Sequence, residues 1–317
     1  MKIAILDDYA DQALTLADWT DVGEVTVFKD TITDLAALTA RLAPFEAICL
    51  MRERTPMTAD LIRALPNLKL LVTSGPRNAS IDLAAAREAG VTVSGTPSRK
   101  TTTSELAVLL MLALNRRLMP ETAALNAGGW QAGLGRDLAG LTLGVIGLGN
   151  IGAQMAAFGK AFGMDVVAWS TNLTAERCAE VGVRQADSLH DLMAASDVAS
   201  VHLVLSARSQ GLIDAAAFAA MKPGAAFINT SRAPIHDTAA LLAGMHRGFP
   251  AMAGLDVFDV EPLPADDPLR DADLIGSGRL LLTPHLGYTT EATFRLFYTE
   301  MVEALRAYQA GAPIRLL

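Results

Sequence analysis

Leu143-Gly144-Val145-Ile146-Gly147-Leu148-Gly149-Asn150-Ile151-Gly152 is the stretch on which the fold of this chain turns. A short apolar run of strand type leads into G-x-G-x-x-G, and the residues that follow, AQMAAFGKAF, have helical spacing. In a strand–turn–helix each glycine has its own task. Gly147 permits the tight turn, Gly149 lets the backbone approach a pyrophosphate, and Gly152 lets the helix pack close to the strand. The N–H groups of Asn150 and Ile151 then point at an anion from the helix N-terminus. Glycine triplets occur without ligands, so the context carries the inference: a strand before, a helix after, and a second strand ending about 20 residues on.

That second strand, Asp165-Val-Val-Ala-Trp-Ser170, ends where an Asp or Glu would accept a hydrogen bond from the ribose 2′-OH of NAD. Here the residue is Ser170, followed by Thr171 and Asn172. A carboxylate would repel a 2′-phosphate, so its absence removes the usual bar to NADP. No Arg stands at the next two positions, and Arg177 lies on the following helix. The cofactor is therefore expected to be NAD or NADP, with the choice open.

Outward from this turn, strands are expected near 143–147, 165–169, 198–203, 225–229, 252–256 and 280–283, with helical segments between most of them. Six strands with crossovers make a doubly wound domain. The first hundred residues form a separate alternating series. Lys2 to Leu6, Val25 to Phe28, Ala47 to Met51, Leu68 to Thr73 and Val91 to Val93 read as strands, while Asp34 to Leu42, Ala59 to Ala64 and Leu83 to Ala89 read as helices. Gly95-Thr-Pro-Ser breaks the rhythm, and Thr102-x-x-Glu105 has capping-box spacing ahead of the all-apolar LAVLLMLAL, a helix expected to be buried. Asn126 to Gly140 reads as a Gly-rich connecting loop, and Glu291 to Ala310 as a last helix.

The expected fold class is thus α/β, with two Rossmann-like or flavodoxin-like domains built on parallel sheets. Residues 100–289 form the dinucleotide-binding domain. Residues 1–99 plus 290–317 form a discontinuous substrate domain, and the active site is expected in the interdomain cleft.

Composition narrows the possible partners. Of 317 residues, 51% are hydrophobic and 19% charged, which excludes disordered and fibrous classes. Twenty-six basic against 34 acidic residues give a formal charge of −8 with no basic run, so nucleic acid is not an expected partner. The apolar run from Leu106 to Leu114 is half of what a bilayer needs, so no membrane span is expected. The chain begins with a strand pattern, so no signal peptide is expected, and its two cysteines, Cys49 and Cys178, are too few and too far apart for a disulfide framework or a Cys-rich metal site. A reducing, cytoplasmic setting is expected.

Three polar residues follow apolar strands in the second half of the dinucleotide domain: Arg232 after AAFINTS, Glu261 after GLDVF and His285 after LLLTP. In open parallel sheets the ligand crevice lies at the carboxyl ends of the strands, so the three can converge. Reduction of a 2-oxo acid needs a clamp for the carboxylate, a proton for the carbonyl oxygen and control of the proton donor. Arg232 offers a planar fork for a carboxylate. His285 is the side chain type that titrates nearest neutrality, and a Glu261 hydrogen bond would favour the imidazolium and fix its orientation. Each residue alone has an ordinary structural reading as part of a turn or as a solvated charge. His190, His202, His236 and His246 lack the spaced companions of a metal site.

The surroundings of these residues are more specific. NTSRAPIHD, AGLDVFDVEPLP and LLTPHLGYTT, with GVIGLGNIG upstream, resemble the D-isomer-specific 2-hydroxyacid dehydrogenase family. The resemblance extends through PNLKLLVTSG, AREAGVTVSGTPS and the Thr/Ser-Glu start of the apolar helix, covering essentially the whole chain. It implies that Arg232 binds substrate, that His285 donates the proton and that Glu261 is its partner. It also implies that Asp256 accepts from the nicotinamide carboxamide, that Thr230 and Ser231 border the nicotinamide, and that Ser206 lines the cofactor cleft.

By the same resemblance, the loop Gly75-Pro76-Arg77-Asn78 binds the substrate carboxylate, although it departs from the usual Gly-x-Gly-x-Asp. Arg77 and Asn78 there either touch a polar substrate or hold the loop. Ala233 for Gly, Val204 for Pro and Tyr288 for a small residue are further departures that bear on substrate size. The implied activity is an NAD(P)-dependent reductase of small 2-oxo acids such as glyoxylate or hydroxypyruvate, working as a homodimer. An NAD-binding corepressor-like protein and a phosphoglycerate or phosphite dehydrogenase of the same fold are the alternatives. The pair Glu261–His285 argues against formate dehydrogenase, which has Gln in place of that Glu.

Overall fold

Strands buried on both faces read as unbroken apolar runs, and this chain has many of them, such as Ala47-Ile-Cys-Leu50 and Ala226-Phe-Ile228. The computed structural model describes all 317 residues and divides into two units, Met1–Arg99 with Thr289–Leu317, and Lys100–Tyr288. In the first unit β1 (Lys2–Ile5), α1 (Ala13–Leu16), β2 (Glu24–Val27), α2 (Leu35–Leu42), β3 (Ala47–Leu50), α3 (Ala59–Ala64), β4 (Leu70–Thr73), α4 (Leu83–Glu88) and β5 (Thr92–Gly95) alternate. The five strands are parallel in the order β2-β1-β3-β4-β5, the flavodoxin-like order. Asp34, Thr58 and Asp82 start α2, α3 and α4 by accepting the N–H of Ala37, Leu61 and Ala85.

The second unit opens with α5 (Thr102–Asn115) and α6 (Leu118–Asn126). It continues with β6 (Thr142–Ile146), α7 (Asn150–Ala161), β7 (Asp165–Trp169), α8 (Ala175–Val181), β8 (Arg184–Gln185), α9 (Leu189–Ala195) and β9 (Val198–Val201). The remaining elements are α10 (Ala215–Ala219), β10 (Ala226–Asn229), α11 (Thr238–Arg247), β11 (Met252–Leu255), α12 (Ala272–Gly276) and β12 (Leu280–Leu282). Its seven parallel strands run β12-β11-β10-β9-β6-β7-β8. One face is packed by Leu192, Met193, Phe218, Leu241 and Met245, the other by Leu106, Leu110, Met155 and Ala156. Strand order reverses between β6 and β9, and at that switch point the sheet opens to a ligand. The last helix, α13 (Glu291–Gln309), belongs to the first unit, where Tyr298 meets Trp19 edge-on with ring centroids 6.2 Å apart.

Three expectations change. The seventh strand, β8, is two exposed residues, too short and too polar for an apolar pattern to show. No capping box forms at α5: the helix begins at Thr102, its cap is Thr101 with no side-chain hydrogen bond, and the Ser104 hydroxyl donates to the Thr101 carbonyl instead. The apolar α5 is not buried all round, since Leu109 is 53% exposed. No helix is long and apolar enough to cross a membrane.

Candidate active site

The glycine turn lies at the switch point. Gly147 has φ +101, and a Cβ there would come within 2.7 Å of the His202 carbonyl beyond β9. At Gly152 a Cβ would meet the Gly147 carbonyl at 1.9 Å, so only glycine lets α7 approach β6. Gly149 differs, because a Cβ there has nothing within 4 Å. The protein itself does not require glycine at 149, whereas a group lying on the turn would. Gly149 caps α7, which opens with Asn150 and Ile151. A cavity of about 340 Å³ adjoins the turn, lined by Gly147–Gly149, by Ser170, Asn172, Leu173, Thr174 and Arg177, and by His202–Val204. These residues fit a dinucleotide: a bare backbone turn at a helix N-terminus for the pyrophosphate, and a pocket beside it for a nucleoside.

The polar residues stand at the ends of neighbouring strands. β10 delivers Asn229, Thr230, Ser231 and Arg232. The Asn229 amide nitrogen donates to the Arg232 carbonyl at 2.9 Å and faces His236 Nδ1 at 3.1 Å, while its oxygen accepts the Ser231 N–H at 2.9 Å. Asn229 therefore sets the backbone from which Arg232 projects. The Ser231 hydroxyl donates to the Val201 carbonyl at 2.8 Å, tying this turn to the end of β9. The Arg232 guanidinium donates from Nη1 to the Ser231 carbonyl at 2.7 Å. Thr230 Oγ1 is buried without a hydrogen-bond partner in the protein, as expected of a group awaiting a ligand.

β11 and β12 supply the other two residues. Glu261 Oε2 lies 2.6 Å from His285 Nδ1, and Glu261 Oε1 accepts the Phe258 N–H at 2.9 Å. Both side chains are more than four-fifths buried, at 18% and 17% exposure, so this ion pair is shielded from water. The geometry assigns Nδ1 to the carboxylate and leaves Nε2 as the working nitrogen. His285 has φ +54, a conformation costly for a residue with a side chain. It is held by Asp256, whose Oδ1 accepts from Thr283 Oγ1 and the Leu286 N–H, both at 2.6 Å, and whose Oδ2 accepts the Gly287 N–H at 2.8 Å. Burial raises the Asp256 carboxyl above the usual range, against these hydrogen bonds and the His285 charge, which act the other way. The Tyr288 ring meets the His285 ring edge-on, with centroids 5.5 Å apart.

Other residues named from the sequence have more varied surroundings. Ser206 is exposed in a turn closed by Ser209 and Gln210, and it does not line the cavity. In the first unit the Gly75–Asn78 loop leaves β4. Gly75 has φ +91, and a Cβ there would sit 2.0 Å from Arg52 Nη1. The Gly75 N–H donates to Thr96 Oγ1. Asn78 is buried, its nitrogen donating to the Arg52 carbonyl at 2.6 Å and Thr73 Oγ1 at 2.9 Å, its oxygen accepting from Ser80. Every position of that amide is used within the protein, so Asn78 anchors the loop to the ends of β3 and β4; Pro76 and Arg77 are exposed. Sequence reasoning passed over Asn229 and Arg52. Asn229 is the polar end of an otherwise apolar strand and sits within NTSRAPIHD, and Arg52 immediately follows the β3 run.

Among known proteins, the model of the D-isomer specific 2-hydroxyacid dehydrogenase NAD binding domain matches residues 108–287. The chain belongs to the D-isomer-specific 2-hydroxyacid dehydrogenase family. It is 34% identical to the hydroxypyruvate reductase of Thermotoga maritima over 95% of this chain and 94% of that one. It is 31% identical to the D-3-phosphoglycerate dehydrogenase of Archaeoglobus fulgidus over 99% of this chain but only 58% of that one. The chain thus spans little more than half the length of the curated phosphoglycerate dehydrogenases it matches. Among solved structures, the putative D-3-phosphoglycerate dehydrogenase from Ralstonia solanacearum superposes with a TM-score of 0.92 at 34% identity, covering 99% of this chain and 96% of that one. The D-lactate dehydrogenase of Aquifex aeolicus, crystallised with NAD and lactic acid, gives 0.80 at 26% identity over 98% and 96%. The matched NAD-binding region contains the glycine turn, Arg232, Glu261 and His285.

Proposed function

We propose that this chain is a nicotinamide-dependent oxidoreductase that interconverts a small 2-oxo acid and its D-2-hydroxy acid. The observation that carries this reading is the shielded 2.6 Å contact between Glu261 and His285 at the ends of adjoining strands. A bound nicotinamide supplies the hydride. Arg232 holds the substrate carboxylate by paired N–H donors. His285 gives a proton to the carbonyl oxygen from Nε2, and Glu261 keeps Nδ1 engaged and balances the imidazolium charge. Thr230 and Asp256 line the nicotinamide end, Oδ2 of Asp256 retaining acceptor capacity beyond the Gly287 N–H. The Gly75–Asn78 loop of the first unit, taken by itself, offers backbone N–H groups and the exposed Arg77 to an anion.

Glyoxylate and hydroxypyruvate are the favoured substrates. The hydroxypyruvate reductase that matches along nearly its full length supports small size, as does Tyr288 against His285. The decisive measurement is a rate panel of glyoxylate, hydroxypyruvate, pyruvate and bulkier 2-oxo acids with each reduced nicotinamide, alongside His285→Ala. Loss of about 10²–10⁴-fold in turnover is expected for the variant. Near-full turnover in His285→Ala, or none on any 2-oxo acid for the parent, would overturn the reading.

The same reading includes a homodimer and a reducing compartment. Leu109, Leu118, Met119, Leu125, Trp130 and Leu134 are exposed along α5, α6 and the following stretch, Trp130 at 78% and Leu134 at 95%, more apolar surface than a lone subunit carries comfortably. Sedimentation showing a monomer at micromolar concentration would remove the dimer.

A further inference from the structure

The geometry points to a 2′-phosphate site beside the glycine turn, making this chain selective for NADPH over NADH. The inference rests on the reading of that turn as a nicotinamide dinucleotide site. The wall of the cavity after β7 consists of Ser170, Asn172, Leu173, Thr174 and Arg177, and no Asp or Glu lines any part of it. A ribose 2′-phosphate placed there meets hydroxyls, an amide and a guanidinium, with no carboxylate in the lining to repel it.

Arg177 is held at the cavity rather than merely near it. Its Nε donates to the carbonyl of Leu148, the middle residue between Gly147 and Gly149, at 3.2 Å, so the guanidinium is aligned with the phosphate-binding turn. Its Nη1 pairs with Glu180 Oε2 at 2.7 Å, and Glu180 is 69% exposed. Such an exposed pair is weak and yields readily to a phosphate dianion. Glu176, the other acid on α8, is turned back on the helix start, where its own N–H and the Thr174 hydroxyl hold its carboxyl below the usual range.

A second arginine reaches the same segment through Asn172. With the Asn172 amide oriented to suit its neighbours, its oxygen accepts from Arg208 Nη1 at 3.0 Å and its nitrogen donates to the Thr171 carbonyl at 3.3 Å. Arg208 comes from the loop after β9 and Arg177 from the helix after β7. Guanidiniums from two separate elements therefore lie at this segment, Arg177 in the cavity lining and Arg208 on Asn172. Planar forks of this kind bind phosphate by paired N–H donors.

Titration of the full-length protein with NADPH, NADH, 2′,5′-ADP and 5′-ADP, followed by calorimetry, tests this without turnover. NADPH is expected to bind at least about tenfold more tightly than NADH, with 2′,5′-ADP ahead of 5′-ADP by a similar factor. One charge-assisted contact corresponds to about 10–100-fold. Arg177→Ala and Arg208→Ala should each lower the NADPH-to-NADH affinity ratio by about tenfold or more, and Glu180→Gln should raise it. Two variants on different elements guard against local disturbance of the turn by the loss of Arg177. Equal or weaker binding of NADPH, or a ratio unmoved in both arginine variants, overturns the phosphate site while leaving the dinucleotide reading intact. Failure of all four ligands to bind overturns both.

Discussion

Asp256 and His285 are joined through the backbone: the buried carboxylate takes the N–H groups of Leu286 and Gly287, the two residues that follow the histidine. The left-handed conformation of His285 is thus imposed from below. In Asp256→Asn one oxygen becomes an NH2 that faces an N–H donor. We expect about 1–3 kcal/mol of lost stability from the orphaned donor, together with a fall in kcat as His285 swings from its place. A variant with unchanged denaturation midpoint and turnover would show that the turn holds itself.

Glu261 acts on the other side of the same imidazole. Gln at 261 keeps an acceptor for Nδ1 but removes the negative charge, whereas Ala removes both. Turnover should drop about tenfold in Glu261→Gln and about a hundredfold or more in Glu261→Ala. Steady-state kinetics that place the two variants level would assign the residue to charge alone, and a Gln variant as fast as the parent would assign it to orientation alone.

The glycines of the turn separate folding from binding. Gly152→Ala forces a Cβ to within 1.9 Å of a carbonyl oxygen and should lower stability by about 1–3 kcal/mol or more. Gly149→Ala puts a methyl into open space. Its melting temperature should match the parent, and its dinucleotide affinity should fall at least about tenfold. Tight binding in Gly149→Ala would mean that no ligand approaches the turn there.

Two histidines outside the proposed chemistry govern acid stability. Burial pushes His202 down to about 4, and also His236 to about 4, in the latter case against the nearby Asp237 charge. An unfolded histidine titrates near 6.5, so the unfolded chain binds more protons between these values. Stability from this source is complete above pH 6.5, falls as pH drops toward 4 and then levels, with a limiting slope of about 1.4 kcal/mol per pH unit for each ring. Urea midpoints from pH 7 to 4.5 should show a smaller slope in His236→Gln than in the parent. Identical slopes would mean that His236 stays neutral in both states or charges freely in both.

Much of this was legible in the sequence because the controlling signals are local. The glycine turn, the apolar strand runs and the polar residues at their ends depend on neighbours within a few positions. Six strands of the larger sheet were readable for that reason, and β8 was not, since two exposed residues carry no periodicity. The missed capping pattern has a related cause: Thr102 and Glu105 have the right spacing, but the chain enters α5 one residue early. Asn78 and Asn229 show the limit on the site itself. Whether an amide reaches a ligand or holds a loop depends on residues up to 26 positions away, such as Arg52, and only the folded chain brings these together.

The two cysteines fall one in each unit, Cys49 on the central strand of the smaller sheet and Cys178 on α8, and both are free and buried. Burial raises both thiols, that of Cys49 to about 12, so almost no thiolate is offered to solvent at neutral pH. Alkylating reagents can then mark either sulfur only when its surroundings open. Mass spectrometry of the two labelled peptides over time would act as a pair of clocks, reading the opening rate of each half of the molecule independently in a single sample.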